Sequence, residues 1–338
     1  MKRLRFVWID DKTEKAEPYR AVIETGLGST QASIELIEVK SDALDVLSNW
    51  TTENKKHPPD LFVIDHVFNP TLPFGLTGAS VAHLLRSEFP QVPMVCVTAM
   101  FDRANSFNEE DISEYTALFL YQHLENHIED LYAIAKDFRK LHPKDAQLRE
   151  HIIACLKAPN RDKDDLLRLL PEEFAGEKKH ATTGHRVARW IFNVLLRRAG
   201  FVYDRLHAAT LLGLTEAGFK KVETQFKNAR YKGVFATDGD PRWWASAIRK
   251  RVYDLAGESA PDLPQYAGRA LKGITANDYS ICYVSKKADP PPDAVVAADV
   301  SGNAKRRVVC RQYSERHPGD PGITPGFETR LILKKTRK

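Results

Sequence analysis

The sequence has little of what would place it outside ordinary aqueous proteins. It holds four cysteines in 338 residues, Cys96, Cys155, Cys282 and Cys310. They are too few and too widely separated for a disulfide framework. No stretch approaches the roughly 18 consecutive apolar residues that a membrane span needs. The first residues are basic, but they lead into an apolar run and an acidic pair, which a signal peptide does not do. These absences predict a cytoplasmic chain with no membrane partner. Catalytic signatures are lacking too. There is no phosphate-binding Walker loop, no G-x-S-x-G elbow and no H-E-x-x-H pair, so the chain is expected not to be an enzyme. Metal hooks are equally scarce. Cys282, Cys310 and His317 lack the close Cys or His spacings of a zinc site. His180 and His185 have no Cys or carboxylate companion at helical spacing and read as surface residues. Asp238, Asp240 and Asp254 offer carboxylates whose spacing demands no metal.

What is present is an ordinary globular composition, 43% hydrophobic and 28% charged, in a chain long enough for two or three domains. Its charge is divided unevenly. Residues 1–140 carry 14 Lys and Arg against 22 Asp and Glu, a net of −8, and the remainder carries 36 against 23, a net of +13. A basic back part beside an acidic front suggests an acidic partner, nucleic acid first, or attraction between the two parts themselves.

The front part is organised around Asp60-Leu61-Phe62-Val63-Ile64-Asp65, a short β-branched run that ends in a carboxylate. Such runs fit buried strands of a parallel sheet. Two others end in the same manner. Arg5-Phe6-Val7-Trp8-Ile9 stops at Asp10-Asp11, and Pro93-Met94-Val95-Cys96-Val97 stops at Thr98. Ile34 to Val39 and Thr116 to Leu120 complete five strand candidates. Helical spacing lies between them, with helices over Asp11–Leu27, Ser41–Trp50, Gly78–Phe89 and Glu125–Leu141. Alternating strands and helices imply a parallel sheet with right-handed crossovers. Ligands collect outside the carboxyl ends of such strands, where Asp10, Asp11, Asp65 and Thr98 would converge.

Residues 1–140 resemble the receiver domain of bacterial response regulators. The resemblance implies a doubly wound, flavodoxin-like α/β domain over 1–141. It also implies that Asp10, Asp11 and Asp65 hold Mg²⁺, that Asp65 accepts a phosphoryl group from a sensor histidine kinase, and that Thr98 senses it. Oxygen ligands from a few carboxylates suit such a hard ion. Two features depart from the family pattern. Phe119-Leu120-Tyr121-Gln122 stands where the family has Phe-Leu-x-Lys, which puts Gln122 in the place of the phosphate-contacting Lys. The loop after Asp65, through Asn69, Pro70, Pro73 and Gly75, is longer than the family norm.

Beyond His142-Pro143 a basic, mainly helical domain is expected over 144–256, then a small β-rich domain over 266–338. The expected elements there include a long helix from Gly184 to Gly200 and strands at Tyr279–Ser285, Arg307–Arg311 and Thr329–Leu333, followed by a basic tail. The segment 206–228 resembles a helix-turn-helix. Ala209 stands at the helix crossing, Gly213 at the turn, Leu212, Leu214, Phe219 and Val222 inward, and Thr215 at the N-cap. Its second helix would offer Lys220, Lys221, Gln225, Lys227 and Arg230, residue types that contact phosphates and base edges. A plain helical hairpin fits the same pattern. Trp243-Trp244 is expected in the core, and Arg249-Lys250-Arg251 near a helix C-terminus, where cations favour the dipole.

Two functions follow from this reading. In the first, a receiver-like domain controls a basic effector region that binds DNA. In the second, the receiver-like domain is an unphosphorylated scaffold within a multi-protein bacterial defence or stress assembly.

Overall fold

A computed structural model describes residues 3–28, 31–69, 75–99, 113–142, 148–174, 183–257, 260–297, 306–311, 314–316 and 331–333. They form two units. The first is built from Met1–Leu156, Leu169–Asn193 and Gly233–Gly239, and the second from Lys157–Arg168, Val194–Lys232 and Asp240–Lys338.

The first unit contains a five-stranded sheet. Its strands are β1 (Leu4–Asp10), β2 (Ala32–Glu38), β3 (Leu61–Asp65), β4 (Met94–Thr98) and β5 (Ala117–Leu120), in the order β2-β1-β3-β4-β5. Every neighbouring pair is parallel. This is the flavodoxin-like order of a doubly wound fold, whose direction of winding reverses between β1 and β3. The register aligns the strand ends, with Asp65 paired to Val97 and Thr98 to Leu120. Every residue of β3 and β4 is buried, which accounts for their unbroken apolar sequence.

The flanking helices follow the apolar stripes of the sequence. They are α1 (Thr13–Leu27), α2 (Ala43–Asn54), α3 (Gly78–Glu88) and α4 (Ile128–Asp137). Ala43, Leu47, Trp50 and Thr51 of α2 are buried, a spacing that repeats every three to four residues. Trp50, Phe62 and Phe89 lock this layer to the sheet with ring centroids 5.7–5.9 Å apart. Burying one such side chain contributes about 1.5–3 kcal/mol. The single helix expected over Glu125–Leu141 is instead α4 flanked by 3-10 turns at Tyr121–His127 and Phe138–Leu141. Tightened turns of this kind are common at helix ends.

The chain continues through α5 (Leu148–Leu156), α6 (Asn160–Leu169) and α7 (Thr183–Trp190). The long helix expected to reach Gly200 becomes a π-helical stretch at Ile191–Leu195. The second unit packs α8 (Arg205–Leu211), α9 (Glu216–Val222) and α10 (Ala245–Ala256) around Ala208, Ala209, Leu212, Phe219, Trp243, Ile248 and Val252. Trp243 and Trp244 are buried, as expected. Arg249-Lys250-Arg251 lies in the middle of α10, not at its end, with Lys250 paired to Asp254 at 2.7 Å.

A short ribbon, β6 (Val202–Tyr203) with β7 (Trp243–Trp244), precedes α10, and α11 (Pro264–Arg269) follows it. A four-stranded sheet then has the order β10-β11-β8-β9, built from β8 (Ala294–Ala297), β9 (Arg306–Val309), β10 (Ser314–Arg316) and β11 (Leu331–Leu333). The strand expected at Tyr279–Ser285 is absent. Tyr279 makes a single bridge to Leu214, and the chain then turns. The basic tail, His180, His317 and the turn at 301–303 lie outside the described residues, and His185, expected at the surface, is instead buried with its Nε2 3.1 Å from the Pro90 carbonyl oxygen.

One glycine positions the strand-end edge. A Cβ on Gly78, the first residue of α3, would sit 2.0 Å from the Asp65 carbonyl oxygen and 2.9 Å from the His66 Cα. Both obstacles are backbone, so the helix must move away from the end of β3 to admit it. Gly78→Ala is predicted to cost about 1–3 kcal/mol of stability, read as a lower denaturant midpoint. An unchanged midpoint would show that this approach is not tight.

Candidate functional site

The strand ends deliver the three carboxylates that the sequence pointed to. Asp10 ends β1, Asp11 follows it, and Asp65 ends β3. One oxygen from each lies within 4.8 Å of the others. Asp10 and Asp65 are buried and Asp11 is half-buried. The Lys12 backbone N–H donates to Asp10 Oδ1 at 2.9 Å, and the Asn69 N–H to Asp11 Oδ2 at 2.9 Å. Thr98 ends the neighbouring β4 and is buried.

This arrangement is electrostatically costly. Burial, then the Asp10 charge, then Asp11, push the Asp65 carboxyl up to about 7, against partial relief from the Val67 N–H and from Lys15. Asp10 is raised as well, chiefly by burial, with hydrogen bonds from Lys12 and Tyr121 opposing. A divalent cation with a preference for oxygen is the group that relieves such a site. The donor set fits Mg²⁺ or a related hard ion, held by Asp10, Asp11 and Asp65.

The resemblance put Gln122 in the family's Lys position. In the structure Gln122 is exposed, and the neighbouring side chain reaches the acids. Tyr121 follows β5 directly, and its hydroxyl donates to Asp10 Oδ2 at 2.8 Å. Its ring is held by Tyr19 at 4.9 Å and Trp8 at 6.0 Å between centroids. Burial and the charges of Asp65 and Asp10 raise the phenol well above its usual range, so it stays a neutral donor. A hydroxyl therefore occupies the approach to Asp10 with no positive charge. Tyr121 stood in the quoted Phe119–Gln122 run, but which of its side chains turns toward the acids after β5 is not visible in sequence.

The residues proposed for nucleic acid lie on and after α9. Gly213 adopts φ +66 at the turn, and Thr215 caps α9 by accepting from the Gly218 N–H at 3.0 Å. Lys220 and Lys227 are exposed. Lys221 is exposed but paired with Asp278 at 2.6 Å. Gln225 is half-buried, and its carbonyl accepts from Arg251 Nε at 3.1 Å. Arg230 is half-buried and bridges Trp243 through the backbone. The helix ends at Val222, and Gln225 and Lys227 lie on a 3-10 continuation, Glu223–Ala229. The five side chains therefore do not share one continuous α-helical face.

The second unit also holds a cavity of about 610 Å³, whose walls include His207, Ser246, Arg249, Gln265 and Arg311. His207 Nδ1 lies 2.9 Å from Asp204 Oδ1, and the Ser246 hydroxyl donates to Asp162 at 2.6 Å. No spacing in the sequence pointed to it, because its lining comes from stretches far apart in the chain, from Asp162 to Arg311.

No family model matches the sequence, and no curated protein matches it. Several solved structures are similar to part of it. The signal receiver domain of a DNA-binding response regulator from Colwellia psychrerythraea 34H is 19% identical, covering 38% of this chain and 97% of its own, with a TM-score of 0.28. A response regulator receiver domain from Rhodospirillum rubrum is 18% identical, with coverages of 38% and 91% and a TM-score of 0.29. The isolated receiver domain of RcsB from Salmonella enterica serovar Typhimurium is 13% identical, with coverages of 40% and 90% and a TM-score of 0.29.

The Asp65 shift has a testable sign. In metal-free protein the folded pKa of about 7 exceeds the ordinary 3.8. Its ionisation therefore opposes folding, and stability falls as pH rises from about 4 through 7. The penalty is on the order of 4 kcal/mol at pH 8. Asp65→Asn is predicted to raise metal-free stability at pH 8 by up to that order and to change it little at pH 4. A benefit of equal size at both pH values would contradict the shift.

Proposed function

We propose that the first unit is a receiver-type signalling module that takes a phosphoryl group on Asp65, and that the second is a basic effector that binds DNA. The observation that carries the reading is the approach of Asp10, Asp11 and Asp65 to within 4.8 Å at the strand ends, beside Thr98. Asp65 supplies the nucleophilic carboxylate oxygen. That oxygen bonds to phosphorus while the donor's leaving group departs with the electrons of the broken bond. A Mg²⁺ ion held by the three acids would neutralise charge on the transferring group. Thr98 ends the adjacent strand and supplies a hydroxyl at the same edge. The phosphoryl group adds about −1.5 to −2 charges at neutral pH, enough to alter an electrostatic balance.

Tyr121 supports a second reading, in which the unit is a scaffold that keeps the acidic site without turnover. It approaches Asp10 as a neutral hydroxyl, so the only cation acting on Asp65 among the principal influences is Lys15. Intact-protein mass after incubation with Mg²⁺ and acetyl phosphate separates the readings. The first predicts a gain of one phosphoryl group in wild type and none in Asp65→Ala. No gain in wild type would leave the scaffold.

For the effector, Lys220, Lys221 and Lys227 are the exposed cations of the proposed contact set. Lys221 would have to leave Asp278 to act with the other two. DNA affinity is predicted to fall steeply with salt through counterion release. Combined Lys220→Glu and Lys227→Glu should weaken binding at least about tenfold at low salt and flatten the salt slope by about two phosphate contacts. Affinity indifferent to both would remove α9 from the DNA-binding role.

A further inference from the structure

The zinc reading of the sequence put Cys282, Cys310 and His317 together. His317 lies outside the described residues, but the two cysteines do meet, and their surroundings suggest different chemistry. They are 28 residues apart, both buried, and packed with Ala294 and Val309 in one small cluster. The Cys310 backbone N–H donates to Cys282 Sγ at 3.3 Å, and the Cys310 thiol donates to the Pro290 carbonyl at 3.7 Å.

The supporting backbone is well tied. Residues 282–287 form a turn closed by Cys282 N–H to Lys287 O at 2.9 Å and Lys286 N–H to Cys282 O at 2.9 Å. The Tyr283 N–H, donating to Val308 O at 2.9 Å, pins that turn to β9. The two sulfurs therefore stand on adjacent, hydrogen-bonded segments. Cys282 is fully buried and Cys310 nearly so. Ile281 and Tyr283, the chain neighbours of Cys282, are among the most exposed large hydrophobic residues.

The Cys282 sulfur is built to carry charge. It accepts from the Ser285 hydroxyl and from the backbone N–H groups of Ser285, Cys310 and Val284. Burial alone would raise the thiol, but these donors outweigh it and bring it to about 7. Cys310 is pushed the other way, to about 12, by burial and by the Cys282 sulfur. Cys282 is thus the readier of the two to lose its proton near neutral pH and Cys310 keeps its own, the division of roles that peroxide-driven disulfide formation needs. Cys96, buried in β4, is held far above its ordinary value by burial, and Cys155 is also raised. Both belong to the first unit and have no second thiol beside them among the described residues.

We propose that Cys282 and Cys310 form an oxidation site at which a hydroperoxide closes a disulfide. The Cys282 thiolate attacks the peroxide. An S–O bond forms, the O–O bond breaks, and the departing oxygen takes up a proton as water or alcohol. Cys310 then attacks the sulfenic sulfur. The S–S bond forms, the S–O bond breaks, and water leaves with the thiol proton. The two thiols together lose two electrons and the peroxide gains them. Closure joins the 282–287 turn, which carries Tyr283, Lys286 and Lys287, to the end of β9. Tyr283 sits under two cations, with Lys286 Nζ 4.2 Å and the Arg307 guanidinium 4.7 Å from its ring centroid.

The test treats the reduced full chain with hydrogen peroxide near pH 7.5, followed by intact mass and a non-reducing peptide map. The expected product is lighter by two hydrogens, has the Cys282 and Cys310 peptides joined, and reverts with dithiothreitol. Cys310→Ser should leave Cys282 as a sulfenic acid that dimedone captures. Cys282→Ser should slow oxidation of Cys310 at least about tenfold. Should wild-type peptides stay unlinked, or should reduced protein hold stoichiometric zinc that Cys282→Ser releases, the proposal fails and the thiols are structural or metal-binding.

Discussion

Everything in the first unit is arranged around an unfavourable contact, the approach of three carboxylates at one sheet edge. Asp10 and Asp65 end strands that are buried along their central length, so neither can retreat into water without unpairing the sheet. Asp65 is driven up to about 7 as a result. A fold optimised for stability alone would place apolar or hydroxyl side chains there. Local strain kept in place by the surrounding structure is a mark of a functional site. The same repulsion would favour a bound divalent ion, because a cation would remove a cost already present in the folded protein.

The rest of the unit holds that edge in place. The parallel register sets Asp10, Asp65 and Thr98 at the ends of three consecutive strands. Gly78 lets α3 begin against the carbonyl of Asp65, where a side chain would not fit. Tyr121, stacked with Tyr19 and Trp8, closes the approach to Asp10 with a hydroxyl. The residue after the fifth strand thus contributes a neutral hydrogen bond to a site where the family pattern has a Lys and this sequence has none. That single exchange bears on whether the site turns over phosphate or only preserves its shape.

Much of this was legible in the sequence, and the limits have physical causes. Buried parallel strands are written as continuous β-branched runs, so β1, β3 and β4 and the acids that end them could be read directly. The lack of charge at Gln122 could be read, but not its exposure or the reach of the neighbouring Tyr121 to Asp10, which depend on how the chain turns after Leu120. Helix ends misled for a related reason. The apolar stripe of Val187, Ile191 and Leu195 continues through a π-helical stretch as it would through an α-helix, so periodicity alone did not mark the change at Ile191. The Tyr279–Ser285 run has the composition of a strand, yet its hydrogen bonds go into the turn that carries Cys282. In the second unit, the helix-turn-helix pattern correctly placed Gly213 and the Thr215 cap. It could not show that Lys221 is engaged by Asp278, a residue 57 positions on.

The central claim is that the strand-end acids form a cation site. Titration of Mn²⁺ into the full chain, followed by electron paramagnetic resonance of the free ion, tests it without requiring any phosphodonor. Stoichiometric binding in wild type at pH 8, weakened at least about tenfold in Asp10→Asn and in Asp65→Asn, is the predicted result. Binding that is absent in wild type, or that persists unchanged in both variants, would contradict it.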